Sequence, residues 1–391
     1  MTKTAETPMN ESKIAIVGAG ISGLSCASEL CARGYAPTIF DRGRGPGGRV
    51  STRLVTDSDL AFDHGAPSFR ATHPEFQHAL SQWIHDGVCE KWMPSVMELS
   101  GSKCTPVNAP EDLYVAVPRM NALPKHLASK LPTAPGTSDT DHAIMSGMSV
   151  LKLINDQHQW SLKMNHPVDG PSQHSSFDAV VLAVPPGNAM DLLDGHSAEL
   201  SAKLRAIPMR TTWVLMLAID SQSGDDPDNP DNPDNPDYPV GLPDVLQTLN
   251  HPRIEKIVSM STKPARPDSP RCYTVYAHHD WSIQNRESEF EPIRQQLLAD
   301  TLALISQATN TASSSISEPV IHSSAHRWGY AEPVNAAAEH SNEGYICDES
   351  NRIVVCNDAM AWESRELGIQ SAWISGKSAA SCIHRILYGE T

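Results

Sequence analysis

The hydrophobic pattern changes period several times along this chain. Ile14-Ala15-Ile16-Val17 is an unbroken apolar run, as a strand buried on both faces of a parallel sheet requires. Ile21, Leu24, Ala27, Leu30 and Cys31 then recur at helical spacing, with Gly34 as the C-terminal stop. A second strand, Thr38-Ile39-Phe40, ends at Asp41. Phe177–Val184 predicts another buried strand, stopped by Pro185-Pro186. Arg352–Cys356 predicts one more, followed by a small-residue helix over about Ile369–Leu387. Different material lies between these pieces. Thr212–Ile219, Ile254–Met260 and Arg271–Ala277 predict strands of a second, antiparallel sheet, and Phe290–Ile305 an amphipathic helix. The pattern is that of an α/β lobe, a parallel sheet with helices, interrupted by an inserted α+β lobe.

Composition narrows the functional classes. At 391 residues the chain exceeds one ordinary core, which favours two lobes. A formal net charge of −16 argues against a nucleic-acid partner, because phosphate backbones need clustered Lys and Arg. An anionic small molecule stays possible, since a local cationic site can sit inside an acidic surface. No run approaches the roughly 20 apolar residues of a membrane span, and Met1–Lys13 lacks the regions of a signal peptide. The eight cysteines are scattered without a C-x-x-C pair, the usage of reduced packing thiols in a cytoplasmic protein and a poor basis for zinc. Residues 1–11 read as a disordered tail. Residues 222–238, with their repeated D-N-P, read as an exposed low-complexity loop with no assigned function.

The chemistry begins at Gly18-Ala19-Gly20-Ile21-Ser22-Gly23, which joins the first strand to the first helix. Gly18 permits the tight turn, Gly20 the approach of a pyrophosphate, and Gly23 close packing of helix on strand. The helix N-terminus offers unpaired N–H groups and a positive dipole end to phosphates, and Asp41 stands where a carboxylate takes ribose hydroxyls. This much fits NAD as well as FAD. Directly after Asp41 comes Arg42-Gly43-Arg44-Gly45-Pro46-Gly47-Gly48-Arg49, a glycine-rich loop whose Arg49 can offer charge-assisted bonds to a diphosphate. That loop resembles the G-G-R segment of the FAD-dependent amine oxidase superfamily. Asn357-Asp358 matches the place where those flavoproteins present an Asp to the ribityl chain.

Further blocks extend the likeness along nearly the whole chain. They are Phe62-Asp63-His64-Gly65-Ala66, Gln82-Trp83 to Trp92, Ser261–Arg266, Asp280-Trp281-Ser282, His326–Ala331 and Ser371–Gly376. Together they resemble the renalase-like branch of that superfamily. The resemblance implies a Rossmann-like FAD-binding domain made of residues 12–70, 119–186 and 339–391. It implies a substrate domain, with an antiparallel sheet, made of 71–118 and 187–338. The implied cofactor residues are Gly18, Gly20, Ile21, Ser22, Gly23, Asp41, Arg42, Gly48, Arg49, His64, Gly65, Ala66, Val150, Asp358, Gln370, Ser371 and Ala372. His64, Trp328 and Gln370 are the implied catalytic residues, and Arg327, Trp328 and Tyr276 the implied substrate contacts. The implied reaction is hydride transfer from a dihydro-NAD(P) isomer to flavin N5, with O2 as acceptor and H2O2 as product. No metal is expected: His322 and His326 have i,i+4 spacing but lie in a strand-like stretch without a carboxylate.

Several positions depart from the family pattern. Pro67 stands in place of a Gln, Arg119 of a Gly, Gly329 of an Arg, Asn357 of a Gly, Gln370 of a Glu and Ser371 of a Gly. Two of these change charge close to where a ring would bind. Two alternatives therefore stand beside the leading expectation. One is an amine oxidase, for which Trp362 and Trp373 would have to form a facing aromatic pair. The other is a non-catalytic flavin-binding protein.

Overall fold

The computed structural model describes residues 11–101, 103–132, 144–157, 159–219, 242–308, 320–334, 343–360 and 368–389. The D-N-P repeat and Trp362 lie outside the described residues, as does nearly all of the N-terminal tail. The apolar run at the start forms a strand, Ile14–Val17, at the centre of a six-stranded sheet. Across that sheet lie Ile144–Ser146, Thr38–Asp41, Ile14–Val17, Ala179–Leu182, Ile353–Val355 and Ile346–Asp348. All neighbours run parallel except the last pair. The central strands are apolar throughout because both of their faces are covered. On one face pack the helices Ile21–Ala32 and Gly368–Tyr388. On the other packs a three-stranded antiparallel sheet, Ser149–Asp156, Gln159–His166 and Gly170–Phe177, with fully buried Trp160 beneath it.

Hydrophobic period did not announce that small sheet. Its strands alternate weakly and carry many polar residues, because only one face is covered.

The second sheet has seven strands. Val320–Trp328, Thr212–Ile219, Arg271–Ala277, Ile254–Ser259, Val245–Thr248, Val96–Ser100 and Lys103–Val107 follow one another across it. It is mixed rather than antiparallel throughout, since Val245–Thr248 pairs in parallel with Val96–Ser100. Side chains alternate cleanly along Thr212–Ile219. Trp213, Leu215, Leu217 and Ile219 face the helix Phe290–Ala308, while Val214, Met216 and Ala218 face the other lobe. That inward face, opposed to the C-terminal ends of the parallel strands, is where the site forms.

Candidate cofactor and substrate site

One continuous cavity of about 1830 Å³ runs from the glycine loops of the parallel sheet to the inward face of the seven-stranded sheet. Its floor is backbone. A Cβ on Gly23 would sit 2.0 Å from the Gly18 carbonyl oxygen, so only glycine lets the helix Ile21–Ala32 start this close to the strand. A Cβ on Gly20 would meet nothing, because it would project into cavity space. Gly47 donates to the Ala19 carbonyl at 2.9 Å, which brings the second glycine loop against the first. Ile21, Ser22, Arg42 and Gly48 also line this stretch. The Asp41 carboxylate fastens both loops, accepting from Ala19 N and Gly43 N at 2.6 Å each. Its oxygens keep lone pairs for a hydroxyl, but their first task is to shape the cradle.

Arg49 and Asp358 meet although they are far apart in sequence. The guanidinium grips the carboxylate through two bonds, 2.8 and 2.5 Å, and its Nη1 also donates to the Ala331 carbonyl at 3.0 Å. Both residues line the cavity. The Asn357 that precedes Asp358 is a brace. Its Nδ2 donates to the Val184 carbonyl, its Oδ1 accepts from Ala359 N, and its own N–H donates to Ser375 Oγ.

The 63–67 segment crosses between the lobes and is held from behind. Asp63 is 1% exposed and accepts from Thr52 Oγ1 at 2.6 Å, Lys263 Nζ at 3.3 Å and Arg266 Nη2 at 2.8 Å. Burial alone would raise its pKa, but the two cations outweigh it and hold the carboxyl at about 2. Burial draws Lys263 down to about 8, and the Asp63 carboxylate opposes that fall, so the ammonium form persists at neutral pH. Lys263 Nζ also donates to the Pro67 carbonyl at 2.6 Å, which gives Pro67 a role as an acceptor. Tyr276 donates its hydroxyl to the Gly65 carbonyl at 2.9 Å and is buried, which raises its pKa. Gly65 itself lies against the Arg49 carbonyl, where a Cβ would approach to 1.9 Å, and Ala66 N donates to that same oxygen. Thus Tyr276 borders the cavity while its hydroxyl is spent on the segment.

At the substrate-lobe end, the His64 and Trp328 rings stack with centroids 5.2 Å apart, and Trp328 Nε1 donates to the His64 carbonyl at 2.7 Å. His326 stands edge-on to both, at 4.8 and 4.7 Å. Burial first, then mutual proximity and nearby Arg53, lower His64 to about 4. Burial and Arg53 do the same to His326. Both imidazoles are therefore neutral at pH 7. In the sequence His326 carries no role beyond its place in the His326–Ala331 block and a discounted metal pairing with His322. The signal that finds it is strand alternation, which puts His326 on the same face as Trp328.

The same alternation directs another side chain. Arg327 pairs with Trp213 in register and lays its guanidinium over that ring at 5.6 Å, on the helix-covered face of the sheet. Its side chain points away from His326 and Trp328, so although Arg327 borders the cavity its guanidinium is engaged on the Trp213 ring.

The Gln370 side chain is committed to a neighbouring segment. Its Oε1 accepts from Thr72 N at 2.7 Å and His73 N at 2.9 Å, and its Nε2 donates to Thr72 Oγ1. The amide braces the start of the helix Pro74–His85 and lies outside the cavity wall, as does buried Ser371. The helical period explains this, since Gly368, Ile369 and Ala372 share the cavity face and residues 370 and 371 do not. Gln370→Glu should accordingly leave the spectrum and midpoint potential of a bound flavin unmoved. It should cost about 1 kcal/mol through the lost amide donor, readable as a small shift in the urea midpoint. Small residues further along this helix answer to packing. A Cβ on Gly376 would come 2.1 Å from the Ser22 carbonyl of the neighbouring helix. Trp373 joins Phe76 and Trp83 in an aromatic cluster, so it forms no cage wall.

Does this cavity suit a dinucleotide? Among the described residues, Ser51 Oγ, His64 Nδ1 and Asn188 Oδ1 are buried without partners, and all three residues line it. Asn188 stands at the far end with Met148, Val150 and Leu192, an apolar slot with one free carbonyl acceptor, suited to a base carrying an amino group. Backbone cradle, cationic fork and orphaned polar atoms together fit an extended anionic cofactor.

The fold defines a two-lobed protein in which a Rossmann-like parallel-sheet domain faces a lobe built on a mixed, largely antiparallel sheet. The NAD(P)-binding Rossmann-like domain family matches residues 16–83. Protoporphyrinogen oxidase 2 (chloroplastic/mitochondrial) of Arabidopsis thaliana is 38% identical over 63 residues, 16% of this chain and 12% of that protein. The match thus spans a small part of its length. A protein from Exiguobacterium sp. 255-15, assigned as a protoporphyrinogen oxidase, superposes with a TM-score of 0.67 at 11% identity. The match covers 98% of this chain and 100% of that one. A putrescine oxidase double mutant with redesigned cofactor binding gives 0.63 at 10% identity, over 95% and 99% of the two chains. These likenesses establish a shared fold.

Proposed function

We propose that this protein is an FAD-dependent oxidase that takes a hydride from a reduced, flat heterocycle such as a dihydro-NAD(P) isomer. The observation that carries this reading is the continuity of the cavity, which joins a dinucleotide cradle to a recess walled by neutral rings. The N-terminus of the helix Ile21–Ala32, with Arg42 and Arg49, would hold the diphosphate. Asp41 would take the ribose, Val150 and Asn188 the adenine, and Asp358 the ribityl chain. Gly65, Ala66 and the start of the helix Gly368–Tyr388 would face the ring system. Bound FAD supplies the two-electron acceptor, which O2 returns to the oxidised state with release of H2O2.

The protein's own contribution is placement. Trp328 offers its π face to a flat substrate, and His64 and Trp328 hold each other. His64 Nδ1, buried and unpartnered, is free to hydrogen-bond a ring substituent. Loss of hydride leaves an aromatic ring, so no base is needed. Because both imidazoles titrate near pH 4, the anaerobic reduction rate should be flat from about pH 5.5 to 8.

The deciding experiment mixes the flavin-loaded protein anaerobically with borohydride-derived NAD(P)H isomers and, separately, with a panel of amines. Bleaching by the isomers, with stoichiometric H2O2 on readmission of air, supports the reading. Bleaching by amines alone overturns it.

A further inference from the structure

Arg53, which no motif singled out, borders the ring-walled recess. It lies in a two-stranded ribbon directly opposite Phe62, and directly opposite partners send their side chains to the same face. Phe62 lies flat on His322, with centroids 5.5 Å apart and planes 25° apart. His322, His326 and Trp328 occupy one face of the strand Val320–Trp328, so Arg53 emerges beside the row that ends in the recess. Its positive charge is felt there, since it helps to lower both His64 and His326. Arg53 lines the cavity and forms no ion pair with a carboxylate among the described residues. Arg53 itself is exposed at the rim, and the His64 ring that feels its charge is buried, with no partner at Nδ1.

We propose that Arg53 and His326 form an anion subsite, which selects substrates bearing a phosphate or carboxylate beside the ring held by Trp328 and His64. This deepens the oxidase reading and rests on it for the identity of the ring. The two imidazoles supply hydrogen bonds without charge, so the guanidinium is the group that attracts the anion. On a chain of net charge −16 the long-range field disfavours anions, and a local unpaired cation is what reverses that preference. The same cation disfavours protonated amines. A second cation, Lys256, provides an internal comparison. Lys256, Tyr276, Val214 and His326 are successive partners across the sheet, which sets Lys256 about 14 Å from His326 by strand spacing. Its ammonium lies over the Tyr276 ring at 5.1 Å.

The test is equilibrium binding to the flavin-loaded protein, followed by the flavin difference spectrum and by calorimetry. Two matched pairs separate the sources of charge: nicotinamide mononucleotide against nicotinamide riboside, and nicotinate against nicotinamide. In the wild-type protein the anionic member of at least one pair should bind about ten-fold more tightly than its partner. Arg53→Met should shrink that gap to less than about two-fold, Arg53→Lys should keep most of it, and Lys256→Met should leave it intact. Equal affinities within both pairs, a gap that persists in Arg53→Met, or a gap lost only in Lys256→Met would each overturn the subsite. Binding needs no turnover. A protein that binds these anions through Arg53 but is not bleached by dihydropyridines would keep the subsite and lose the oxidase reading. Bleaching without a charge preference would do the reverse.

Discussion

Arg49→Ala should yield a folded protein that purifies nearly free of flavin. The Arg49 guanidinium is bonded twice to Asp358 and once to the Ala331 carbonyl, so it ties the glycine loop to two distant segments. Asp358 keeps only 7% of its side chain exposed, and removing its partner leaves a buried carboxylate uncompensated. Such an orphan costs on the order of 3–5 kcal/mol, and here it would repel the diphosphate that the cradle is shaped to receive. Affinity for FAD should fall by roughly a hundred- to a thousand-fold, because each 1.4 kcal/mol is a factor of ten. Arg49→Lys keeps the charge but loses the two-pronged geometry and should fall between. Arg49→Ala combined with Asp358→Asn removes the orphaned charge, so it should regain thermal stability without regaining flavin. The ratio of visible to ultraviolet absorbance after gel filtration reads the outcome. Stoichiometric flavin in Arg49→Ala would sink both the residue's role and the cradle's.

That pairing marks how far the sequence can be read. The nucleotide-binding start was legible because strand, glycines, helix and acid lie within one continuous stretch, each local choice agreeing with the next. The strands Thr212–Ile219 and Arg271–Ala277 were legible to the residue because their apolar runs are long and buried. What sequence could not supply was which side chains face one another. Arg49 and Asp358 were each expected to meet the cofactor, yet nothing local says that they meet each other. Arg327 and Trp328 were neighbours in one motif, and the pleat sends them to opposite faces. Its place in the motif makes Gln370 a charge change beside a ring. The turn of the helix instead gives it to the backbone of Thr72 and His73. Arg53 and Asn188 belong to no motif at all; they reach the cavity by strand pairing and from the first turn of the helix Pro186–Leu193. Asp63 was seen only as a letter of F-D-H-G-A, and its burial among two cations is a tertiary fact.

Lys263→Met should destabilise the protein by about 3–5 kcal/mol at neutral pH, the cost typical of breaking a buried ion pair from one side. The Lys263 side chain is fully buried, so water cannot take over its bonds to Asp63, to the Pro67 carbonyl and to Met260 Sδ. The loss should also have a pH signature. Asp63 titrates at about 2 in the folded chain, below its ordinary value near 4. Its contribution, roughly 2.5 kcal/mol, is therefore complete above about pH 4 and is lost as pH falls through about 2. With Lys263 gone, Arg266 and the Thr52 hydroxyl are left to oppose the effect of burial, the folded-state pKa rises, and acid lability should begin at a higher pH. Asp63→Asn should abolish that acid limb, since no carboxylate remains to be protonated. The double variant should lose less than the sum of the two single changes, because each single change orphans a charge that the double change removes. Urea midpoints from pH 3 to 7, read together with flavin release, measure both effects. Additive losses would show that Lys263 and Asp63 do not work as a pair. If the pair does hold the 63–67 segment, flavin should leave before the parallel sheet unfolds, since Gly65 and Ala66 border the cavity while the sheet is buried elsewhere.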